Sequence, residues 1–281
     1  MYVLCSPCIL NPVLRADGIT KPSDLEAFGR TKNRCDRFGI EIIPLPCPET
    51  IFLGPDRQPG TFLERLDKPA FLTLMDELEE QVNNIVAKRG PPLCIIGVNS
   101  SPTCGVTSTW YGTRGDEPPK REGRGVFLSR FSKIPAIDVQ VFAKYKVYLA
   151  APLFSDAERA YNTQIADLLR ENFFEVYLPQ DTGDDSDTRK REEQKRLFSL
   201  NKKAIEDADI IIAVIDGADA DSGTAWEMGY AFAKGKRMIA LRTDFRRMGI
   251  NEQVNLMLEL SATVVTSGEA LLDEIQLPQK K

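Results

Sequence analysis

Two groups of residues in this 281-residue chain have the makings of chemistry, and they lie in opposite halves. Cys8, Cys47 and Cys104 each follow a short apolar run: Tyr2–Leu4, Ile40–Ile43 and Leu93–Val98. If those runs are parallel strands, the three thiols project into one crevice, where convergent thiolates bind zinc or an iron–sulfur cluster. Adding Cys5 gives Cys5-Ser-Pro-Cys8, a two-residue spacing common in both kinds of site. The competing reading is a small buried hydrophobe, and it suits Cys35 inside a helical stretch and Cys94 inside a strand. In the second half Asp221 and Glu227 flank the start of a helix that opens with Gly223, where backbone can approach closely. A carboxylate nucleophile with a second carboxyl group is the equipment for cleaving a bond to an anomeric carbon. Glu227 with Asp221 or Asn201 supplies it, and the plainer alternative is a solvated glutamate with Asp221 as helix cap.

The chain has no histidine, which excludes Ser-His-Asp and Cys-His nucleophiles, His-bound zinc and His as general base. Acid–base work falls to carboxylates, Tyr, Lys, Cys or water. A formal net charge of −5 makes a poor polyanion binder, so nucleic acid is not an expected partner. The start lacks the basic residues of a signal peptide, and no run approaches the roughly 20 apolar residues of a membrane span. The expectation is a soluble, cytoplasmic protein with no membrane partner, its six cysteines thiols or metal ligands rather than disulfides.

Strand and helix signals alternate in both halves, which predicts two α/β domains, 1–143 and 144–281. In the first, helices are expected over Pro22–Gly39, capped by Ser23 and stopped by Gly39, and over Thr61–Arg89 with a break near Pro69. Ile137–Phe142 reads as a fourth strand, and Thr113–Arg124 as an exposed loop. In the second, strands are expected at Val147–Ala150, Phe174–Leu178, Ile210–Ile215, Met238–Leu241 and Thr263–Val265. Helices are expected at Ser155–Asn172, Arg189–Asp207, Gly223–Lys234, Asn251–Leu260 and Ser267–Ile275. Five such strands suit a flavodoxin-like doubly wound parallel sheet, whose ligand crevice lies beyond the strands' carboxyl ends. The first domain is expected to be smaller, with its cysteine cluster at the strand ends.

Lys146–Phe154 (KVYLAAPLF), the strand DADIIIAVID, the segment DSGTAWEMGYAFAKGK and the later VNLML resemble the nucleoside 2-deoxyribosyltransferase family over 144–281. The resemblance implies that Glu227 is the nucleophile forming a 2-deoxyribosyl ester, that Asp221 helps hold sugar and base, and that Tyr148 orients the nucleophile. It implies that Asn255 and Met257 reach the sugar's 5′ end from a neighbouring subunit, so the enzyme is a homo-oligomer with shared active sites. Asn201 stands where the family often has an aspartate suggested as proton donor, which makes Asp181 a substitute candidate. A sister branch hydrolyses deoxynucleoside 5′-monophosphates; Asn255-Leu-Met257 favours an uncharged 5′-hydroxyl.

SPCILNPVLRADG, PLPCPET and NSSPTCG resemble the three landmarks of the 2-thiouracil desulfurase family, over roughly 1–142. The resemblance implies that Cys8, Cys47 and Cys104 ligate three irons of a 4Fe–4S cluster whose fourth iron takes sulfur from a thiocarbonyl. It implies that Glu49 and Ser101 bind or protonate the substrate; capping is their plainer reading. The family's second cysteine after the first landmark is missing, Ile9 replaces a leucine and Thr103 replaces a serine. A zinc site completed by Cys5 is the rival.

The whole reads as a deoxyribosyl-transferring enzyme fused to a desulfurase-like domain, with nucleobases and deoxynucleosides, thiolated ones included, as small-molecule partners. The alternatives are an N-glycosidase with a structural zinc domain and a non-enzymatic nucleoside sensor.

Overall fold

The computed structural model describes residues 1–113, 119–182, 190–247, 249 and 252–276. The chain divides into two compact units, Met1–Ala143 and Lys144–Lys281, each built on its own parallel sheet. No helix among the described residues is long and apolar enough to cross a membrane.

Unit 1 runs β1 (Tyr2–Cys5), α1 (Pro7–Leu10), α2 (Pro22–Arg37), β2 (Glu41–Pro44), α3 (Pro48–Leu53), α4 (Phe62–Arg65) and α5 (Pro69–Arg89). It continues with β3 (Ile95–Gly97), β4 (Ser108–Trp110), β5 (Lys120–Glu122), β6 (Ala136–Asp138) and α6 (Val139–Phe142). The main sheet has the order β2-β1-β3-β6, every pair parallel. Helical crossovers make this possible, since parallel neighbours cannot be joined by a tight turn. Phe71, Met75, Leu78 and Val82 recur at helical spacing along α5 and join Leu4 and Ile95 in one core.

Three local expectations are corrected here. The N-cap position of α2 is Lys21, because Pro22 occupies the first helical position; Ser23 lies inside the first turn. Asp24 takes the Lys21 N–H at 3.0 Å in place of a serine cap. Ile137–Phe142 is not one strand: the Asp138 carboxylate accepts the Gln140 N–H at 2.9 Å and starts α6. Of the expected loop Thr113–Arg124, 114–118 lie outside the described residues, and Lys120–Glu122 pairs antiparallel with Ser108–Trp110.

Unit 2 runs β7 (Lys146–Ala150), α7 (Asp156–Glu171), β8 (Glu175–Tyr177), α8 (Arg191–Asp207), β9 (Ile210–Val214), α9 (Ser222–Ala233) and β10 (Arg237–Leu241). It ends with α10 (Leu256–Glu259), β11 (Thr263–Val265) and α11 (Gly268–Gln276). The order β8-β7-β9-β10-β11, all parallel, is that of a flavodoxin-like doubly wound sheet. Strand β9 is buried along its whole length, as in a sheet covered on both faces. The helix expected over Asn251–Leu260 is one turn long: Asn255 accepts the Met257 N–H at 3.0 Å and so caps α10, while residue 251 lies outside the described residues.

Candidate functional site

In unit 2 the sheet positions Tyr148 and the helix after β9 positions Glu227. Tyr148 is fully buried in β7, and its hydroxyl donates a hydrogen bond to Glu227 Oε1. Burial raises the Glu227 carboxyl from an ordinary 4.5 to about 7; the Tyr148 bond pulls it down, and the Asp221 charge pushes it up. Burial, then the glutamate's charge, holds the Tyr148 phenol well above the usual range. The group poised to ionise at neutral pH is therefore Glu227, with Tyr148 as a fixed donor.

Asp221 is the N-cap of α9, its Oδ2 accepting Thr224 N–H at 3.0 Å. A Cβ at position 223 would come to 2.9 Å of that oxygen, so glycine there leaves the carboxylate its place. The Tyr148 ring stacks on Tyr177 at 5.4 Å between centroids, and the Tyr177 hydroxyl donates to Asn201 Oδ1 at 2.9 Å. Asn201, Tyr177, Tyr148 and Glu227 thus form one connected series. Tyr177 is the member that sequence reasoning missed; its signal was the in-register pairing with Tyr148 on the adjacent strand.

Other candidates have different partners. Asp181, on the turn after β8, is half exposed and ion-paired with Arg170 at 2.9 Å. Asn255 and Met257 line a separate, largely apolar groove of about 570 Å³ with Phe232, Leu256 and Leu260. Tyr148 and Glu227 are not among its walls, and Met257 and Leu260 are each 76% exposed.

In unit 1, Cys8 lies in the single turn of α1 after β1, Cys47 is the N-cap of α3 after β2, and Cys104 lies in the loop after β3. All three line one cavity of about 370 Å³, together with Glu49, Ser101, Thr103, Arg15, Arg57 and, at the hairpin, Trp110. Close approach fixes the loop: a Cβ on Gly97 would meet the Cys104 carbonyl at 2.5 Å, and Ser100 is held at φ 70. Burial pushes the Cys8 thiol up to about 12 and the Cys104 thiol higher still, with Cys47 adding to both. Cys5 is fully buried, donates to its neighbour's carbonyl, and is not a wall of the cavity. Among the described residues no group of three or more Cys, Asp or Glu side chains is gathered so as to hold a single metal ion.

Glu49 is the polar centre of this cavity. Its Oε1 accepts the hydroxyls of Ser101 at 3.0 Å and Thr103 at 2.7 Å, and its Oε2 faces Arg57 Nε at 3.5 Å. Ser101 Oγ accepts the Cys104 N–H at 3.0 Å, which ties the polar pair to the thiol loop. Arg57 and Thr103 went unread as functional groups, since one arginine in a Pro-Asp-Arg-Gln-Pro stretch has no chemical signature of its own.

Residues 147–266 match the family model for nucleoside 2-deoxyribosyltransferase. An uncharacterized protein of Ureaplasma parvum serovar 3 is 31% identical over 131 residues, 41% of this chain and 82% of that protein. A conserved protein from Enterococcus faecalis V583, of solved structure, is 31% identical with a TM-score of 0.42, covering 47% of this chain and 96% of its own. The 2-deoxyribosyltransferase from the psychrotolerant Bacillus psychrosaccharolyticus is 23% identical with a TM-score of 0.40, over 45% of this chain and 89% of its own. It is thus unit 2, through residues 147–266, that matches the nucleoside 2-deoxyribosyltransferase family.

Proposed function

We propose that unit 2 transfers the 2-deoxyribosyl group of 2′-deoxynucleosides between bases, with Glu227 as nucleophile. The observation that carries this is the hydrogen bond from buried Tyr148 to half-buried Glu227, with the carboxyl at about 7. The ionised carboxylate attacks C1′, the bond from C1′ to the base nitrogen breaks with its electrons going to the base, and an ester to Glu227 forms. The incoming base, or water, then attacks C1′ and returns the carboxylate. The leaving base needs a proton; Asn201 cannot supply one as an acid, and the ion pair with Arg170 argues against Asp181. Water that enters with the nucleoside is left as the proton source.

An uncharged 5′ end is favoured because, among the described residues, the groove at Asn255 and Met257 has no Lys or Arg in its walls. The same exposed apolar walls favour a second copy of the chain as their cover, making a homo-oligomer with shared sites. The test is Glu227→Ala. Turnover should fall by orders of magnitude while nucleoside affinity persists, and wild type with a slow substrate should carry the deoxyribosyl ester by mass spectrometry. An active Glu227→Ala enzyme would refute the reading.

We infer further that unit 1 carries an iron–sulfur cluster on Cys8, Cys47 and Cys104 and acts on thiolated nucleobases. What supports this is the donor set: Cys8, Cys47 and Cys104 line one cavity, and Cys5 is not among its walls. A cluster spreads its thiolates over several irons, whereas zinc gathers its donors on one ion. Bound there, it would supply an iron without a protein ligand, open to the sulfur of a thiocarbonyl. Glu49, Ser101 and Thr103 hold the protons beside it. Iron, sulfide and zinc content with a visible spectrum, on protein purified without oxygen, tests the assignment. Near four irons with matching sulfide, lost in Cys104→Ala, are expected; stoichiometric zinc would overturn it.

A further inference from the structure

The tyrosine stack of unit 2 ends in an amide whose orientation is fixed. Tyr148 and Tyr177 pair across neighbouring strands, so their side chains leave the sheet on one face, and their rings lie within 13° of parallel. Among the described residues the proton of the Tyr177 hydroxyl has one acceptor, Asn201 Oδ1 at 2.9 Å. Turning the amide over would set its NH2 group against that hydroxyl and leave the phenol proton without an acceptor. The orientation that satisfies both groups turns Nδ2 away from Tyr177. Nδ2 makes no hydrogen bond among the described residues, yet it is not one of the buried polar atoms left unpaired, and Asn201 is only half-buried. The side chain therefore offers a ligand its donor, while its acceptor is taken.

We propose that Tyr177 is a positioning residue that sets the base specificity of unit 2. It holds Asn201 as a hydrogen-bond donor toward the base, so a base with a carbonyl oxygen at that point is accepted and one with an amino group is disfavoured. The assignment rests on reading unit 2 as a deoxynucleoside site with Glu227 beside C1′. On that reading the series matches a base in length, since the stacked rings are 5.4 Å apart. The exocyclic atom of a pyrimidine opposite the glycosidic bond lies roughly 5–6 Å from C1′ by ordinary bond lengths. At that atom uracil carries oxygen and cytosine carries NH2. Against cytosine two donors face each other, and each forfeits the hydrogen bond that water would give it. The substrate class is the deoxynucleosides of oxo bases, with the uracil type preferred to the cytosine type. Tyr177 acts on this choice through Asn201.

Deoxyuridine and deoxycytidine offered together compete for one enzyme, so the ionisation of Glu227 cancels from the ratio of their kcat/KM values. That ratio should fall about fivefold or more in Tyr177→Phe, which keeps the ring stack and frees the amide to turn. It should fall similarly in Asn201→Ala, and Tyr177→Phe made on top of Asn201→Ala should change it no further. A loss of stability alone lowers both rates together and leaves the ratio where it was. An unchanged or raised ratio in either folded variant, or effects that multiply in the double variant, would overturn the proposal. Where circular dichroism shows Tyr177→Phe unfolded, Asn201→Asp decides. Its carboxylate accepts from the amino group, so the ratio should fall, and a ratio at or above that of wild type overturns the proposal. Equilibrium dialysis of the same two nucleosides against Glu227→Ala separates the two readings. Selective binding that Tyr177→Phe abolishes, in a chain whose wild type turns over neither nucleoside, removes the transfer reaction and keeps the positioning role. Turnover of both with an unchanged ratio does the reverse, and neither binding nor turnover overturns both.

Discussion

Replacing Tyr148 with phenylalanine keeps the ring and its stack on Tyr177 and deletes one hydrogen bond, the one that stabilises the ionised form of Glu227. The remaining influences, burial and the Asp221 charge, both raise the carboxyl. A hydrogen bond to a charged acceptor is worth about 1.5–3 kcal/mol, which at about 1.4 kcal/mol per pH unit is one to two units. The wild-type carboxyl, at about 7, is half ionised at neutral pH. In Tyr148→Phe it should ionise near pH 8 to 9, so the nucleophilic fraction at pH 7 falls to about a tenth or a hundredth. The assay is the initial rate of base exchange on a deoxynucleoside from pH 5 to 9.5, read as kcat/KM. The acid limb should move up by one to two pH units, and part of the lost rate should return in alkaline buffer. A limb within a few tenths of a unit of wild type, with the rate lowered equally at every pH, would refute the electrostatic role and leave Tyr148 only a steric one.

Glu227→Gln should stabilise unit 2 in alkaline buffer. The native carboxyl at about 7 holds its proton more tightly than the ordinary 4.5, so wild-type stability falls as pH rises between those values. The variant should gain up to about 3 kcal/mol at pH 8 and little at pH 4 in urea unfolding; no pH-dependence of the difference would refute it. Mixing Asn255→Ala with Glu227→Ala subunits should restore a fraction of the activity that each lacks alone, because the proposed shared site draws the two residues from different copies. Gly223→Ala should cost about 1 kcal/mol of stability through the Asp221 cap, measured as a lower thermal midpoint. It should lower kcat with it, since the new Cβ presses on the capping carboxylate.

Strand positions and the parallel order of both sheets were legible because buried strands announce themselves as short aliphatic runs, Ile210–Val214 being the plainest. The strand Lys120–Glu122 was not, because it is exposed on both faces and so has no alternation to read. The short α10 was hidden for a different reason: Asn255 sits amid apolar residues at helical spacing, and its capping role depends on backbone geometry. Glu227 and the three cysteines could be named from local sequence, Glu227 on the helix after β9 and each cysteine just beyond a strand, while Tyr148 came from the family resemblance of its strand. Arg57 and Tyr177 could not, because their significance lies in which oxygen or ring stands opposite, and only tertiary structure sets that.

The series from Asn201 through the stacked tyrosines to Glu227 has a consequence for how such an enzyme diversifies. In the proposed reaction Glu227 takes the sugar and Asn201, at the far end of the series, faces the base; two stacked phenols lie between them. A change at position 201 that alters which base is accepted, such as Asn201→Asp, adds a charge that the Tyr177 hydroxyl must then answer. The shift passes through the ring stack to the group that fixes the nucleophile's ionisation. In the proposed reaction, base preference and working pH are therefore coupled, and a lineage drifting toward a new base must also retune the acidity of its nucleophile.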